Sequence, residues 1–255
     1  QDERERAEAI NIQYVELAED YALAKDELEK LNQEKNKFFS IIAHDLRSPF
    51  TALLGFTSLL EQRADILPAE NIKDYAQTIN ESATRVFKLL ENLLEWALLQ
   101  MDRIKYQPQL FALQKITDKT LEILGPVAAD KGIALTESGE AHQAFADPQM
   151  IDTVIRNLVS NAIKFTPRGG TITIKYATIP DGPAPDGQAP DHRAQVSICD
   201  TGVGMDLKTA DAIFHLSSNL TTNGTDGEKG TGLGLLLCKE LVERNQGRLT
   251  VESEP

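Results

Sequence analysis

The chain has 255 residues, 41% of them hydrophobic, enough to bury a core in one or two domains. Its 39 acidic residues outnumber 26 basic ones, and the net charge of −13 argues against nucleic acid as the principal partner. The two cysteines, Cys199 and Cys238, have no paired spacing, so neither a disulfide framework nor a zinc site is indicated. No apolar run reaches the roughly 18 residues of a membrane span. The chain opens on Gln1-Asp2-Glu3-Arg4, inside a charged helix, as a piece of a longer protein would. A reducing cytoplasm fits, with any membrane attachment left to a segment not present here.

Residues 1 to about 37 lack Gly and Pro and are dense in Glu, Lys and Ala. Apolar residues fall at Ile10, Tyr14, Leu17, Tyr21, Ala24, Leu28 and Leu31, then Phe38 and Ile42, with Lys35 on the same line. Spacings of four and three alternate, which is a heptad seam and predicts a parallel coiled coil running into the next segment.

That segment reads Phe38-Phe39-Ser40-Ile41-Ile42-Ala43-His44-Asp45-Leu46-Arg47-Ser48-Pro49-Phe50. Phe38, Ile42, Leu46 and Leu53 mark one apolar stripe of a helix. His44 lies two positions, roughly 200° at helical pitch, from both Ile42 and Leu46, so it faces solvent. Pro49 has no N–H for the Asp45 carbonyl, and a bend or loosening is expected there. An exposed imidazole beside a carboxylate is accessible to a reacting partner. A surface histidine near a kink is the plainer reading of these residues alone.

A break at Asp65-Ile66-Leu67-Pro68 precedes a second helix, about Ala69 to Leu99, with Ile72, Tyr75, Ile79, Val86, Leu90, Leu93 and Ala97 on one stripe. A helical hairpin of this kind cannot bury both sides alone, and two copies forming a four-helix bundle would. From about Gln107 the pattern changes to a layered α/β unit. Helices are predicted over 113–129 and 147–165, with strands at 131–136, 171–176 and 195–200. Ile179 to His192, with four prolines and two glycines, reads as an exposed hairpin loop.

Three segments of this unit carry chemistry. In Arg156-Asn157-Leu158-Val159-Ser160-Asn161-Ala162-Ile163-Lys164-Phe165, the residues Asn157, Asn161 and Lys164 share one helix side. Asparagine oxygens can complete a magnesium shell beside phosphates, and a lysine can neutralise them; alone, this is equally a polar helix face. Asp200-Thr201-Gly202-Val203-Gly204-Met205 follows a β-branched strand. Its carboxylate can accept from an exocyclic amine, while Gly202 and Gly204 admit close approach of backbone to a ring. In Gly227 to Leu237 the residues Gly230, Gly232 and Gly234 precede an apolar helix, which makes a phosphate cradle rather than a dinucleotide fingerprint.

With these residues in hand, the chain from about Asn36 onward resembles the transmitter core of sensor histidine kinases of two-component systems. His44-Asp45-Leu46-Arg47-Ser48-Pro49 is similar to the H-box of that family. Arg156 to Phe165 is similar to its N-box, Asp200 to Gly204 to its first glycine box, and Gly230 to Leu235 to its second. Phe214 takes the F-box position within a lid of roughly Met205 to Lys229. The resemblance implies a multidomain α and α/β chain. A coiled-coil signalling helix (1–36) comes first, then a dimerisation and phosphotransfer hairpin (37–104) forming a dimeric four-helix bundle. An ATP-binding α/β sandwich (105–255) follows.

It further implies ATP and Mg2+ as cofactors, a homodimer, an upstream sensor domain outside this chain, and a response-regulator receiver domain as partner. His44 is then the phosphoacceptor, Asp45 its base and orienter, and Ser48 the position of a weak phosphatase role. Asn161 is the expected metal ligand, Lys164 faces phosphates, Asp200 binds the adenine amine and Phe165 packs on adenine. Asn157, Gly202, Gly204, Phe214, Lys229, Gly230, Thr231, Gly232, Leu233 and Gly234 complete the ATP site. Related ATP-hydrolysing enzymes carry a glutamate where Asn157 stands. An amide is a poor base, so the γ-phosphate is expected to be kept for His44. The family usually continues past Glu252-Ser253-Glu254-Pro255 with a glycine-rich turn and a last strand, which the sequence as given does not include. An ATPase that clamps a dimer and a silent scaffold are the competing classes.

Overall fold

The computed structural model describes residues 2–101, 105–140, 142–180, 192–214, 222–228, 230 and 232–254. Two compact units are present, residues 1–48 and 49–255. The predicted loop tip between Pro180 and His192, part of the lid, Lys229 and Thr231 lie outside the described residues.

Helix α1 spans Asp2–Arg63. It runs through Pro49, where a bend or loosening was expected, without an interruption of the helix: one proline forfeits one backbone bond but does not end so long a segment. In the first unit Leu17, Tyr21 and Leu28 are exposed, so the seam they mark is open on the single chain. Ile42 is buried, at 4% exposure.

In the second unit the hairpin turn is closed by Leu67 N–H donating to Arg63 O, and Pro68 sets the extended start of α2 (Ala69–Gln100). Phe56 and Tyr75 pack across the hairpin with ring centroids 5.1 Å apart. The predicted α2 stripe needs correcting at one position. Val86, Leu89 and Leu99 are buried, whereas Leu90 is 46% exposed and joins Phe87 and Leu94 on an open apolar side. Helix α2 is thus apolar over a wider arc than the buried stripe alone.

The α/β part begins with β1 (Gln109–Ala112), then α3 (Leu113–Asp130), β2 (Ala134–Ser138), β3 (Gln143–Ala146) and α4 (Pro148–Phe165). Strands β4 (Thr171–Pro180) and β5 (His192–Asp200) and helices α5 (Leu207–Ala212) and α6 (Gly234–Arg244) complete it. Strands β2, β4 and β5 form one sheet in that order, with β2 parallel and β5 antiparallel to β4. Strands β1 and β3 pair separately and antiparallel. Ile172 and Ile174 alternate inward from β4 against Ile116 of α3 and Ile155, Val159 and Ile163 of α4. A second cluster joins Leu99 of α2, Met150 and Val154 of α4, and Leu237, Cys238 and Leu241 of α6. These two clusters fix α4 and α6, the helices that carry the site. Asp147 precedes α4 as its N-cap, accepting from Gln149 and Met150 N–H at 3.0 and 3.3 Å.

Candidate active site

His44 and Asp45 lie in the first unit. The His44 side chain is 81% exposed, and its Nδ1 is 3.1 Å from Asp45 Oδ1. With the ring proton on Nδ1 and donated to Asp45, Nε2 carries the lone pair and faces solvent. The spacing argument for an outward histidine holds: Ile42 is buried and Leu46 half-buried, two residues to either side. Ser48 is exposed one turn further on.

In the second unit, α4 brings Asn157, Asn161 and Lys164 to one side at i, i+4 and i+7. Asn157 Nδ2 donates to Thr153 O at 2.9 Å, which fixes the amide. A Cβ on Gly234 would stand 3.1 Å from Asn157 Oδ1, so the start of α6 sits directly against this face. Asn161 is half-buried, and its side chain makes no hydrogen bond to another described residue. Lys164 Nζ donates to Thr222 O at 2.8 Å and lies 4.3 Å from the Phe165 ring centroid. A Cβ on Gly230 would be 2.8 Å from the same Nζ. Burial holds the Lys164 ammonium below the usual lysine range, against an opposing pull from Glu228 and with Arg85 adding to the depression.

Asp200 ends β5 with an exposed carboxylate whose Oδ1 accepts Gly202 N–H at 2.8 Å. A Cβ on Gly202 would come within 2.5 Å of that oxygen and 2.8 Å of Phe165 O. Val203 N–H donates to Phe165 O at 3.2 Å, tying this turn to the end of α4. Gly204 and Gly232 have φ of +65° and +68°, a region that favours glycine. Leu233 is buried and precedes α6, whose first N–H groups have no partner within the helix.

The structure therefore gathers Asn157, Asn161, Lys164, Phe165, Gly202, Gly230 and Gly234 around one helix. Phe214 is half-buried in the turn after α5, and no described contact brings it to that group. Sequence reading missed Gly224 and Thr225, which pack on the end of α4. Thr225 N–H donates to Lys164 O at 3.0 Å, and a Cβ on Gly224 would be 2.6 Å from Lys164 Cγ. It also missed Lys131 and Glu228, which form an ion pair at 2.8 Å.

A solvent-facing histidine on a helical hairpin, joined to an α/β sandwich with an asparagine–lysine helix and two glycine turns, defines a histidine kinase transmitter core. Two family models, which together cover most of the chain, mark it as a sensor histidine kinase transmitter core. The family model "His Kinase A (phospho-acceptor) domain" matches residues 34–101, and "Histidine kinase-, DNA gyrase B-, and HSP90-like ATPase" matches residues 146–255. The sensor protein GacS of Pseudomonas syringae pv. syringae is 32% identical over all of this chain and 27% of its own length. BarA of Escherichia coli K12, a signal transduction histidine-protein kinase, is 28% identical over all of this chain and 26% of its own. The chain thus spans about a quarter of the length of these curated relatives.

Among solved structures, histidine kinase ThkA in complex with response regulator protein TrrA aligns with a TM-score of 0.60. The identity is 21%, over 87% of this chain and 61% of that one. Acinetobacter baumannii histidine kinase AdeS aligns with a TM-score of 0.56 at 17% identity, over 78% of this chain and 86% of that one. At such identities these structures show the fold.

Proposed function

We propose that this chain is an ATP-dependent protein-histidine kinase unit that phosphorylates His44 and passes the phosphoryl group to an aspartate on a response-regulator receiver domain. The observation that carries the reading is the His44 ring, open to solvent at Nε2 and tethered at Nδ1 by Asp45. In the first step the Nε2 lone pair forms the N–P bond while the bond from the γ-phosphorus to the bridging oxygen breaks and ADP leaves. The ring gains positive charge, which Asp45 stabilises through the Nδ1 proton before that proton is lost. Transfer to a carboxylate oxygen of the regulator then breaks the N–P bond, and the ring takes up a proton to restore the neutral imidazole.

The α4 side fits a magnesium nucleotide. Gly230 and Gly234 leave space where a Cβ would meet Lys164 or Asn157, and Lys164 supplies positive charge. Among the described residues no group of three or more His, Cys, Asp and Glu is placed to hold a metal ion. The Asn161 amide oxygen is the ligand this side offers to magnesium, which would neutralise charge on the transferring phosphoryl group when bound. The Asn157 amide, committed to Thr153, has no basic site with which to activate water.

The open seam at Leu17, Tyr21 and Leu28, and separately the open side of α2 at Leu90 and Leu94, support a homodimer. Among the described residues no helix is long and apolar enough to cross a membrane. A cytoplasmic unit serving an upstream sensor agrees with that. We assign a weak phosphatase role to Ser48, which is exposed one turn from His44.

Incubation with γ-labelled ATP and magnesium tests the proposal. A protein-bound label that is acid-labile and base-stable, with one ADP formed per label, supports it. Steady ADP production without label favours the dimer-clamp ATPase, and nucleotide binding with neither product favours a scaffold.

A further inference from the structure

Lys131 closes α3, outside every box in the sequence, yet it is a lysine only 5% exposed. Its Nζ donates to Ile163 O at 2.8 Å, Lys164 O at 3.1 Å and Glu228 Oε1 at 2.8 Å, using all the protons an ammonium has. A buried cation is tolerated only when satisfied in this way.

Two of those acceptors are last-turn carbonyls of α4, which have no donor inside the helix. The four orphan carbonyls of that helix end are all accounted for. Ala162 O accepts Thr166 N–H, Lys131 reaches Ile163 O and Lys164 O, and Val203 N–H reaches Phe165 O. A cation at a helix C-terminus also matches the sign of the helix dipole. The third acceptor, Glu228, belongs to a compact turn. Its Oε2 accepts Asp226 N–H at 2.9 Å, and its carbonyl accepts Gly224 N–H at 2.6 Å. Burial pushes the Glu228 carboxyl up, but the Lys131 ammonium and the N–H groups of the turn outweigh it and hold it below the usual carboxylate range. A second pair, Arg168 with Asp226 at 2.7 Å, fastens the same turn from the solvent side. Two residues after Glu228 comes Gly230, whose Cβ position is 2.8 Å from Lys164 Nζ.

We propose that Lys131 is a positioning residue for the nucleotide site, acting through Glu228 to fix the turn before the second glycine box against the end of α4. Lys131 touches no phosphate. It sets the spacing between Lys164 and Gly230, the two elements expected to close on the triphosphate, by bonding the backbone of one and the anchor of the other. The inference rests on the kinase reading for its purpose. Its test reads nucleotide binding and stands whether or not His44 is labelled.

The test measures affinity for a fluorescent trinitrophenyl-ATP, with magnesium, together with thermal stability. Glu228→Ala leaves Lys131 its two carbonyls but takes the carboxylate from a buried ammonium, so the melting temperature should fall, and affinity is compared well below the melting temperature of each protein. Affinity should fall by about tenfold, the loss of one charge-assisted hydrogen bond. Glu228→Gln keeps an acceptor oxygen and should fall between the two. Lys131→Met should weaken binding too, and in the Glu228→Ala background it should weaken it little further, because both changes break the same link. Transfer from chemically phosphorylated His44 to a receiver domain uses no ATP and should be unchanged in Glu228→Ala. Wild-type affinity in Glu228→Ala, or losses from the two substitutions that multiply, would overturn the proposal.

Discussion

Nδ1 of His44 stands 3.1 Å from Oδ1 of Asp45, its neighbour in the chain, although successive residues on a helix normally diverge. The Asp45 side chain is 23% exposed and the imidazole 81% exposed. The pair orients the ring without covering Nε2. Asp45→Asn keeps an acceptor but loses the charge that stabilises the phosphorylated ring, and Asp45→Ala loses both. Initial labelling rates should fall by about 10²-fold in Asp45→Asn and further in Asp45→Ala. Nucleotide affinity should not change, because Asp45 is in a different unit from the asparagine helix.

Two glycines in the site should respond differently to an added methyl. At Gly202 a Cβ would meet the Phe165 carbonyl at 2.8 Å, a backbone atom held by α4, as well as Asp200 Oδ1. At Gly230 it would meet the end of the flexible Lys164 side chain. Gly202→Ala should therefore displace the Asp200 turn and weaken ATP binding by at least about tenfold. Gly230→Ala, which displaces only the end of a flexible side chain, should weaken binding by less than Gly202→Ala. Isothermal titration of both variants with ATP and magnesium distinguishes them.

Asn161 is the amide of the α4 face that makes no hydrogen bond to another described residue. Asn161→Ala should raise the magnesium concentration needed for half-maximal labelling and lower the maximal rate by about 10²-fold or more, since charge neutralisation carries phosphoryl transfer. Asn161→Asp, with a harder oxygen, should retain metal binding better than Asn161→Ala. A magnesium titration of labelling rate is the measurement.

The two cysteines differ in environment. Cys238 is buried against Val154, and burial, with a smaller contribution from Glu95, pushes its thiol up to about 12; Cys199 is exposed on β5. A disulfide reagent at pH 8 should titrate one thiol in the native protein and two after denaturation. Rapid reaction of both native thiols would contradict the packing of α6 on α4.

Much of the site is legible in the sequence because its chemistry is local. Asn157, Asn161 and Lys164 are spaced by the helical repeat, Gly230 to Gly234 fall within one turn, and His44 is set outward by Ile42 and Leu46. What escapes notice is held by distance. Lys131 and Glu228 are 97 residues apart, and nothing around either marks a partner. Strands β1 and β3 escape because each has four residues and the paired Leu110 and Phe145 are 64% and 69% exposed, so no inward alternation shows. On α2, exposed Leu90 reads as core because the apolar arc of the helix is wider than its buried stripe.

The central claim is that His44 accepts the γ-phosphoryl group of ATP. Wild type and His44→Gln, each shown to bind nucleotide, are incubated with γ-labelled ATP and magnesium, digested at alkaline pH and mapped by mass spectrometry. The account predicts an acid-labile, base-stable phosphate on the wild-type peptide containing His44, and none on the variant. Label that persists in His44→Gln, or a nucleotide-bound wild type that never acquires it, would contradict the account.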